Sequence, residues 1–327
     1  MRDQLRLPPA KLAAAATVTA VLLAGCGGSD EDSGAGGGPE KKTITVAGLP
    51  LADVAALHIA MDRELFEKEG LNVRVQPVQQ SVQALPALAH GQVDVIGGAN
   101  FVTFLQAREK GTLATRVLAE GARNAPHMME VLVPADSKIK EPRDLEGKKV
   151  AVNILNNIQS LTLNAALGKA GAGRPEYRQV PFPQMGSVLE RGQVDAVHAA
   201  EPFATALKRE LKARTVVDGN AAPVAGLPLS GYVTTDSFID KYPKTAAAFQ
   251  RAISAAQAVA AKDRGAVEKA LPGYTKIKPA EAAAIGLPDY PATSSAAQLK
   301  RLISLMRTQK LLSKDLDPAA VLYQPAE

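Results

Sequence analysis

From Thr43 onward, short apolar runs alternate with longer stretches in which apolar residues recur every three or four positions. A run of four to six apolar residues reads as a buried strand, and a 3.6-residue recurrence reads as a helix with one face on a core. On these grounds 43–47 is predicted as a strand, 55–68 as a helix carrying Leu57, Ala60, Met61 and Leu65 and stopping at Gly70, and 71–75 as a second strand. The pattern continues with a helix over 83–89, a strand over 93–96, a helix over 101–110 and a strand over 116–119. The same order then restarts, with strands 149–153, 177–180 and 195–198 alternating with helices 158–170, 184–191 and 202–212. Strands separated by helices need crossover connections, which give a mostly parallel sheet.

The restart is also visible residue by residue. The stretch 83–94 lies 101 positions before 184–195, and both end in Gly-Gln-Val-Asp between an apolar helix and an apolar strand. A loop carrying Phe101 or Phe203 follows in each case. Two similar α/β lobes are therefore expected. Asp94 and Asp195 close their tetrapeptides identically, a symmetry that points to a turn role rather than a ligand role. From Pro243 the chain turns helical and Ala-rich, with one helix marked by Phe249, Ile253, Ala256 and Val259 and another by Leu299, Leu302, Ile303 and Met306. Residues 129–133 are read as the strand that carries the chain out of the first lobe and 231–235 as the strand that brings it back. The expected lobes are 43–130 with 232–327, and 131–231, hinged through those two strands, with the ligand in the cleft between them.

Ahead of the lobes stands a segment of another kind. Arg2, Arg6 and Lys11 precede the uncharged stretch 12–25, which ends in Leu23-Ala24-Gly25-Cys26. This is the anatomy of a cleaved secretory signal, and its 14 uncharged residues fall short of the ~20 that span hydrocarbon. Cys26 is the only cysteine in 327 residues and opens a Gly-, Ser- and Asp-rich run in which no core can form. Residues 1–25 are read as a lipoprotein signal peptide, Cys26 as the lipidation site and 26–42 as a disordered tether. Two acyl chains suffice for stable anchoring, so the mature chain is expected at the extracytoplasmic face of the cell membrane.

Composition narrows the function. Removing Arg2, Asp3, Arg6 and Lys11 from 38 basic and 33 acidic residues leaves 35 and 32, close to neutral. No basic run is interleaved with aromatics, so nucleic acid is not an expected partner. His127 and His198 lie far apart and no His-x-x-His spacing occurs, so no metal site and no cofactor are expected. His58 sits on a helix face and is read as packed. There is no Gly-x-Ser-x-Gly, no Walker-type loop and no cysteine nucleophile, which disfavours an enzyme.

Several stretches taken in order resemble the substrate-binding lipoproteins of ABC importers for nitrate, taurine, alkanesulfonates and thiamine pyrimidine precursors. They are 57–60 with 65–71, the two Gly-Gln-Val-Asp elements, 144–152 and Glu201-Pro202-Phe203, and they cover about 43–260. The resemblance implies a two-lobed type II periplasmic-binding-protein fold, α/β in each lobe, with the first lobe completed by the C-terminal helices. It also implies a small-molecule solute, an ABC permease with its ATPase as partners, and a monomer. A solute-sensing receptor and a pyrimidine-synthase-like enzyme are the alternatives, although the cysteine-rich motif of that synthase is absent. Relatives often carry an aromatic before the Glu/Asp-Pro pair where this chain has Ala200, and the chain has no Trp.

In such a cleft, ligand groups come from loops at the C-terminal ends of strands and from helix N-termini. The candidates are Asp53, Ser81, Asn100, Asn153, Asn156, Gln159, Ser160 and Glu201. Asp53 and Asn100 also precede helices, where capping alone accounts for them, and Asn156 with Gln159 fits a capping box. Glu201 follows an apolar strand and precedes Pro202, which would turn it towards the cleft. With Asp53 and Glu201 but no Lys or Arg in these loops, the sequence favours a neutral or amine-bearing solute, its N–H groups donating to Glu201, over an anion.

Overall fold

A computed structural model describes residues 37–325. Ten strands form: β1 (Thr43–Gly48), β2 (Asn72–Pro77), β3 (Val95–Asn100), β4 (Thr115–Arg123), β5 (Met129–Val133), β6 (Lys149–Val152), β7 (Glu176–Gln179), β8 (Ala196–Ala200), β9 (Arg214–Asp218) and β10 (Pro228–Thr235). They build two five-stranded sheets, in the orders β2-β1-β3-β10-β4 and β7-β6-β8-β5-β9. In each, the first two neighbouring pairs are parallel and the last two antiparallel, so one strand runs against the other four. The two sheets share one topology. This is the type II periplasmic-binding-protein fold.

The repeat has a structural reason. The Asp94 backbone N–H donates to Thr45 O at 2.9 Å and its carboxylate accepts from Thr45 N at 2.9 Å. The Asp195 N–H donates to Lys149 O at 2.8 Å and its carboxylate accepts from Lys149 N at 2.7 Å. Each Gly-Gln-Val-Asp thus turns the chain and zips the new strand onto its neighbour, β3 onto β1 and β8 onto β6.

Two expectations need correction. Strands β5 and β10 lie inside the sheets, β5 in the second and β10 in the first, so 129–133 and 231–235 are not crossing segments. The chain passes between sheets at 124–128 and 219–227, moving 129–130 to the second sheet and 228–231 to the first. A strand centred in a sheet has its backbone groups paired, whereas a connection between sheets must find other partners. Asn124 supplies them: its side-chain amide donates to Gly219 O at 2.6 Å and to Val224 O at 3.1 Å, tying the crossings together. The predicted helix 55–68 is also two pieces, Ala55–Asp62 and Leu65–Lys68, because Glu64 adopts φ 55°.

The helix Pro243–Lys262 packs Phe249, Ile253 and Ala256 into one core with Ile44, Val46 and Leu57, completing the first lobe. The helix Ala296–Thr308 buries Leu299, Leu302, Ile303 and Met306 in a second cluster, which reaches from Phe101 and Phe104 to Val197 and Leu207. The stretch expected to be tether is fastened at its end. The Glu40 carboxylate accepts from the N–H groups of Lys244 and Thr245 at 3.1 and 2.9 Å, and Lys41 pairs with Asp94 at 2.5 Å. Cys26 and the signal segment lie outside the described residues, among which no helix is long and apolar enough to cross a membrane.

Candidate functional site

The C-terminal ends of β1, β3, β6 and β8 converge between the sheets, because parallel strands of both lobes direct their loops there. They line a cavity of about 50 Å³, room for roughly three to five waters. Its apolar wall includes Leu49, Leu51, Met128, Met129, Phe182 and Leu229. Its polar side chains are Asp53, Ser81, Asn100 and Ser230 from the first lobe and Asn153, Asn157 and Gln159 from the second.

Five of the eight residues singled out from sequence line this cavity: Asp53, Ser81, Asn100, Asn153 and Gln159. Three do not. Asn156 is exposed, with φ 53°, and the helix Ile158–Lys169 is capped one position later. Asn157 Oδ1 accepts from the N–H groups of Gln159 and Ser160, and Ser160 Oγ accepts from Asn157 N at 3.1 Å. The capping box is therefore Asn157 with Ser160, which commits Ser160 to the helix end rather than to the cavity.

Glu201 is the third correction. Its side chain turns away from the cavity, Oε1 accepting from Thr205 Oγ1 at 2.7 Å and from Gly286 N at 3.4 Å, and Oε2 from Thr205 N at 3.1 Å. Its own carbonyl accepts from Ala52 N at 3.0 Å. Burial pushes this carboxyl above its ordinary range, opposed by the bonds from Thr205 and Gly286 and by the charge of Lys208. Glu201 thus joins the second lobe to the first, through Ala52 and Gly286.

The remaining partners show which groups are free. Gln159 is engaged at both ends: its carbonyl oxygen accepts from Asn153 N at 2.7 Å and Asn157 Nδ2 at 3.1 Å, and its amide donates to His198 O. Asn100 Oδ1 accepts from Val102 N at 3.0 Å, capping the helix Phe101–Glu109. Asp53 is only 7% exposed, and its Oδ2 accepts from Ser230 Oγ at 2.5 Å. Burial raises the pKa of Asp53, with the Ser230 hydroxyl acting against it. Asn153 receives the side-chain amide of Gln80 on its backbone carbonyl, while its own Oδ1 is buried without a partner. The Gln80–Asn153 bond crosses between the lobes, like the contacts of Glu201. Sequence reasoning missed Ser230 and Asn157 as parts of this wall, and Gln80 as the residue that bridges to Asn153. The only signal for Ser230 was one polar residue in the run Gly226-Leu-Pro-Leu-Ser-Gly231.

His58, read as packed, stacks on Tyr274 with ring centroids 3.7 Å apart. Tyr274 and Tyr290 lie behind the loop of Asp53, donating their hydroxyls to Leu51 O and Ala52 O at 3.1 and 2.7 Å.

With this geometry in place, the sequence itself decides the grouping. Residues 52–265, more than half of the chain, match the family model described as NMT1/THI5 like. The chain belongs to the NMT1/THI5-like family. No curated protein sequence matches it. Solved structures that it resembles include a ligand-binding component of an ABC-type import system from Staphylococcus aureus with zinc bound, at TM-score 0.75 and 14% identity, covering 86% of this chain and 97% of that one. They also include the alkanesulfonate-binding protein SsuA from Xanthomonas axonopodis pv. citri bound to MOPS, at TM-score 0.72 and 20% identity over 87% and 99% of the two chains. A third is the periplasmic nitrate-binding protein NrtA from Synechocystis PCC 6803, at TM-score 0.70 and 14% identity over 87% and 86%. At these identities the likeness is one of fold. Among the described residues of this chain, no group of three or more His, Cys, Asp or Glu side chains is placed to hold a metal ion.

Proposed function

We propose that this member of the NMT1/THI5-like family is an extracytoplasmic solute-binding lipoprotein, which captures a small nitrogen- or sulfur-containing organic solute between its lobes and delivers it to an ABC permease. The observation that carries the reading is the cavity between two sheets of one topology, bridged by Gln80 to Asn153 and by Ala52 and Gly286 to Glu201. A cavity walled by both lobes fills only when they approach, so its occupant favours the closed form over the open one. The names of the neighbouring solved structures, an ABC-type import component and periplasmic or sulfonate-binding proteins, support the same role. Binding rather than catalysis fits the lining, which offers a single carboxylate and no Lys, Arg, His or Cys to pair with it. The protein acts as a monomer on this reading, and its test is solute-driven compaction in solution.

The anchor is a separate element of the proposal. Acyl chains on Cys26 would be the attachment, so Cys26→Ser should leave the protein without lipid and free of the membrane fraction. Metabolic labelling with a fatty acid followed by membrane fractionation checks it. A labelled, membrane-bound Cys26→Ser protein would remove the lipoprotein reading.

A further inference from the structure

The cavity has a chemical polarity of its own, and this inference rests on the solute-binding reading above. Seven polar side chains line it, and the bonds within the protein take up most of their carbonyl and carboxylate oxygens. Gln159 is committed at both ends, Asn157 to the helix end and Gln159, and the oxygen of Asn100 to Val102. Among the carbonyl and carboxylate oxygens of these side chains two are left, one from each lobe, beside the hydroxyl of Ser81. Asp53 spends one carboxylate oxygen on Ser230, and no other residue donates to its Oδ1. Asn153 is 4% exposed and its Oδ1 has no partner. No lining residue is cationic. An unpaired buried acceptor costs the full desolvation of that atom, and a buried carboxylate without a counter-charge costs more.

We propose that the cavity selects a small organic cation with several N–H donors, a primary ammonium or an amidinium, held between Asp53 of the first lobe and the side-chain oxygen of Asn153 of the second. One positive group satisfies both vacant acceptors and the buried charge together, and it does so only when the lobes have met. The apolar wall of Leu49, Met128, Met129 and Leu229 then takes the carbon part of the solute. An anion would face the Asp53 carboxylate with no cation to offset it.

Calorimetric titration of the full chain tests this with named probes at matched ionic strength: ethylammonium and acetamidinium chloride, neutral acetamide, and sodium methanesulfonate and nitrate. At least one of the two cations should bind, and more tightly than acetamide or either anion. Asp53→Asn should weaken that cation about ten- to hundredfold, the range for a hydrogen bond to a charged group. Asn153→Leu should weaken it as well, whereas Asn153→Asp, which keeps the acceptor and adds charge, should bind at least as tightly as the wild type. The melting transition of each variant verifies that it is folded. Neither cation binding, an anion binding more tightly than both, or Asp53→Asn binding a cation undiminished would each overturn the inference. Compaction of the protein by an anion or a neutral solute would do so while leaving the solute-binding reading in place.

Discussion

Gly286→Val should cost about 3 kcal/mol of stability and loosen the first lobe from Glu201. A Cβ at Gly286 would lie 2.3 Å from both the carbonyl carbon and the oxygen of His127 and 2.8 Å from Met128 N. These are backbone atoms of the crossing segment 124–128, so no side-chain rotation relieves the clash. The loop around Gly286 must lift away, breaking the Gly286 N to Glu201 Oε1 bond and straining the paired backbone bonds between Arg123 and Asp289, at 2.9 and 3.2 Å. Overpacking typically costs about 1–3 kcal/mol and a hydrogen bond to a charged group about 1.5–3. Denaturant unfolding measures the loss. A variant as stable as the wild type would show that the loop does not grip the crossing in solution.

The second large effect is on pH dependence. His198 is fully buried on β8, on the same strand face as Ala196, and neither ring nitrogen has a partner among the described residues. Burial lowers its pKa from 6.5 to about 4, and the same cause lowers His58 to about 4. Above pH 6.5 these rings are neutral in both folded and unfolded chains, so they contribute nothing. Below it the unfolded chain takes up protons that the folded chain refuses, and stability falls until the folded pKa is reached. Each histidine then costs roughly 3 kcal/mol by pH 4. Asp53 and Glu201, with raised values, work in the opposite sense: folding suppresses their ionisation, and that cost is relieved as pH falls through their folded pKa. The two effects overlap in the wild type, and a comparison separates them. The stability of His198→Leu minus that of the wild type should rise by roughly 3 kcal/mol between pH 7 and pH 4, because Asp53, Glu201 and His58 cancel in the difference. Parallel pH curves would show that His198 is protonated in the folded protein.

The elements that were legible in the sequence are those whose local pattern and tertiary role coincide. Apolar runs such as Val95-Ile96 and Val131-Leu132-Val133 are central strands, and both faces of such a strand must be apolar. Which sheet received β5 and β10 was not legible, since a strand's partners are chosen by packing far along the chain. The break at Glu64 carries neither Gly nor Pro to announce it. At the cavity, Asp53, Asn100 and Asn153 were found because loops after strands point into the cleft. The adjacent Asn156 and Asn157 both fit a helix cap, and the choice between them depends on Gln159 reaching Asn153 and His198, a tertiary demand. Glu201 was misdirected for a similar reason. The residue's position beside the cavity followed from the strand, but Thr205, four places on, offers its carboxylate two donors on the other side.

The central claim is that two lobes close on a solute. Small-angle X-ray scattering of the full chain, with and without the probe that raises its melting temperature most among methanesulfonate, nitrate, cytosine, ethylammonium and acetamidinium, tests it most directly. A ligand at 100 times its Kd adds about 2.7 kcal/mol to the form that binds it, enough to draw an open population into the closed one. The radius of gyration should fall on saturation. An unchanged radius, with one bound solute verified by dialysis, would contradict the clamp.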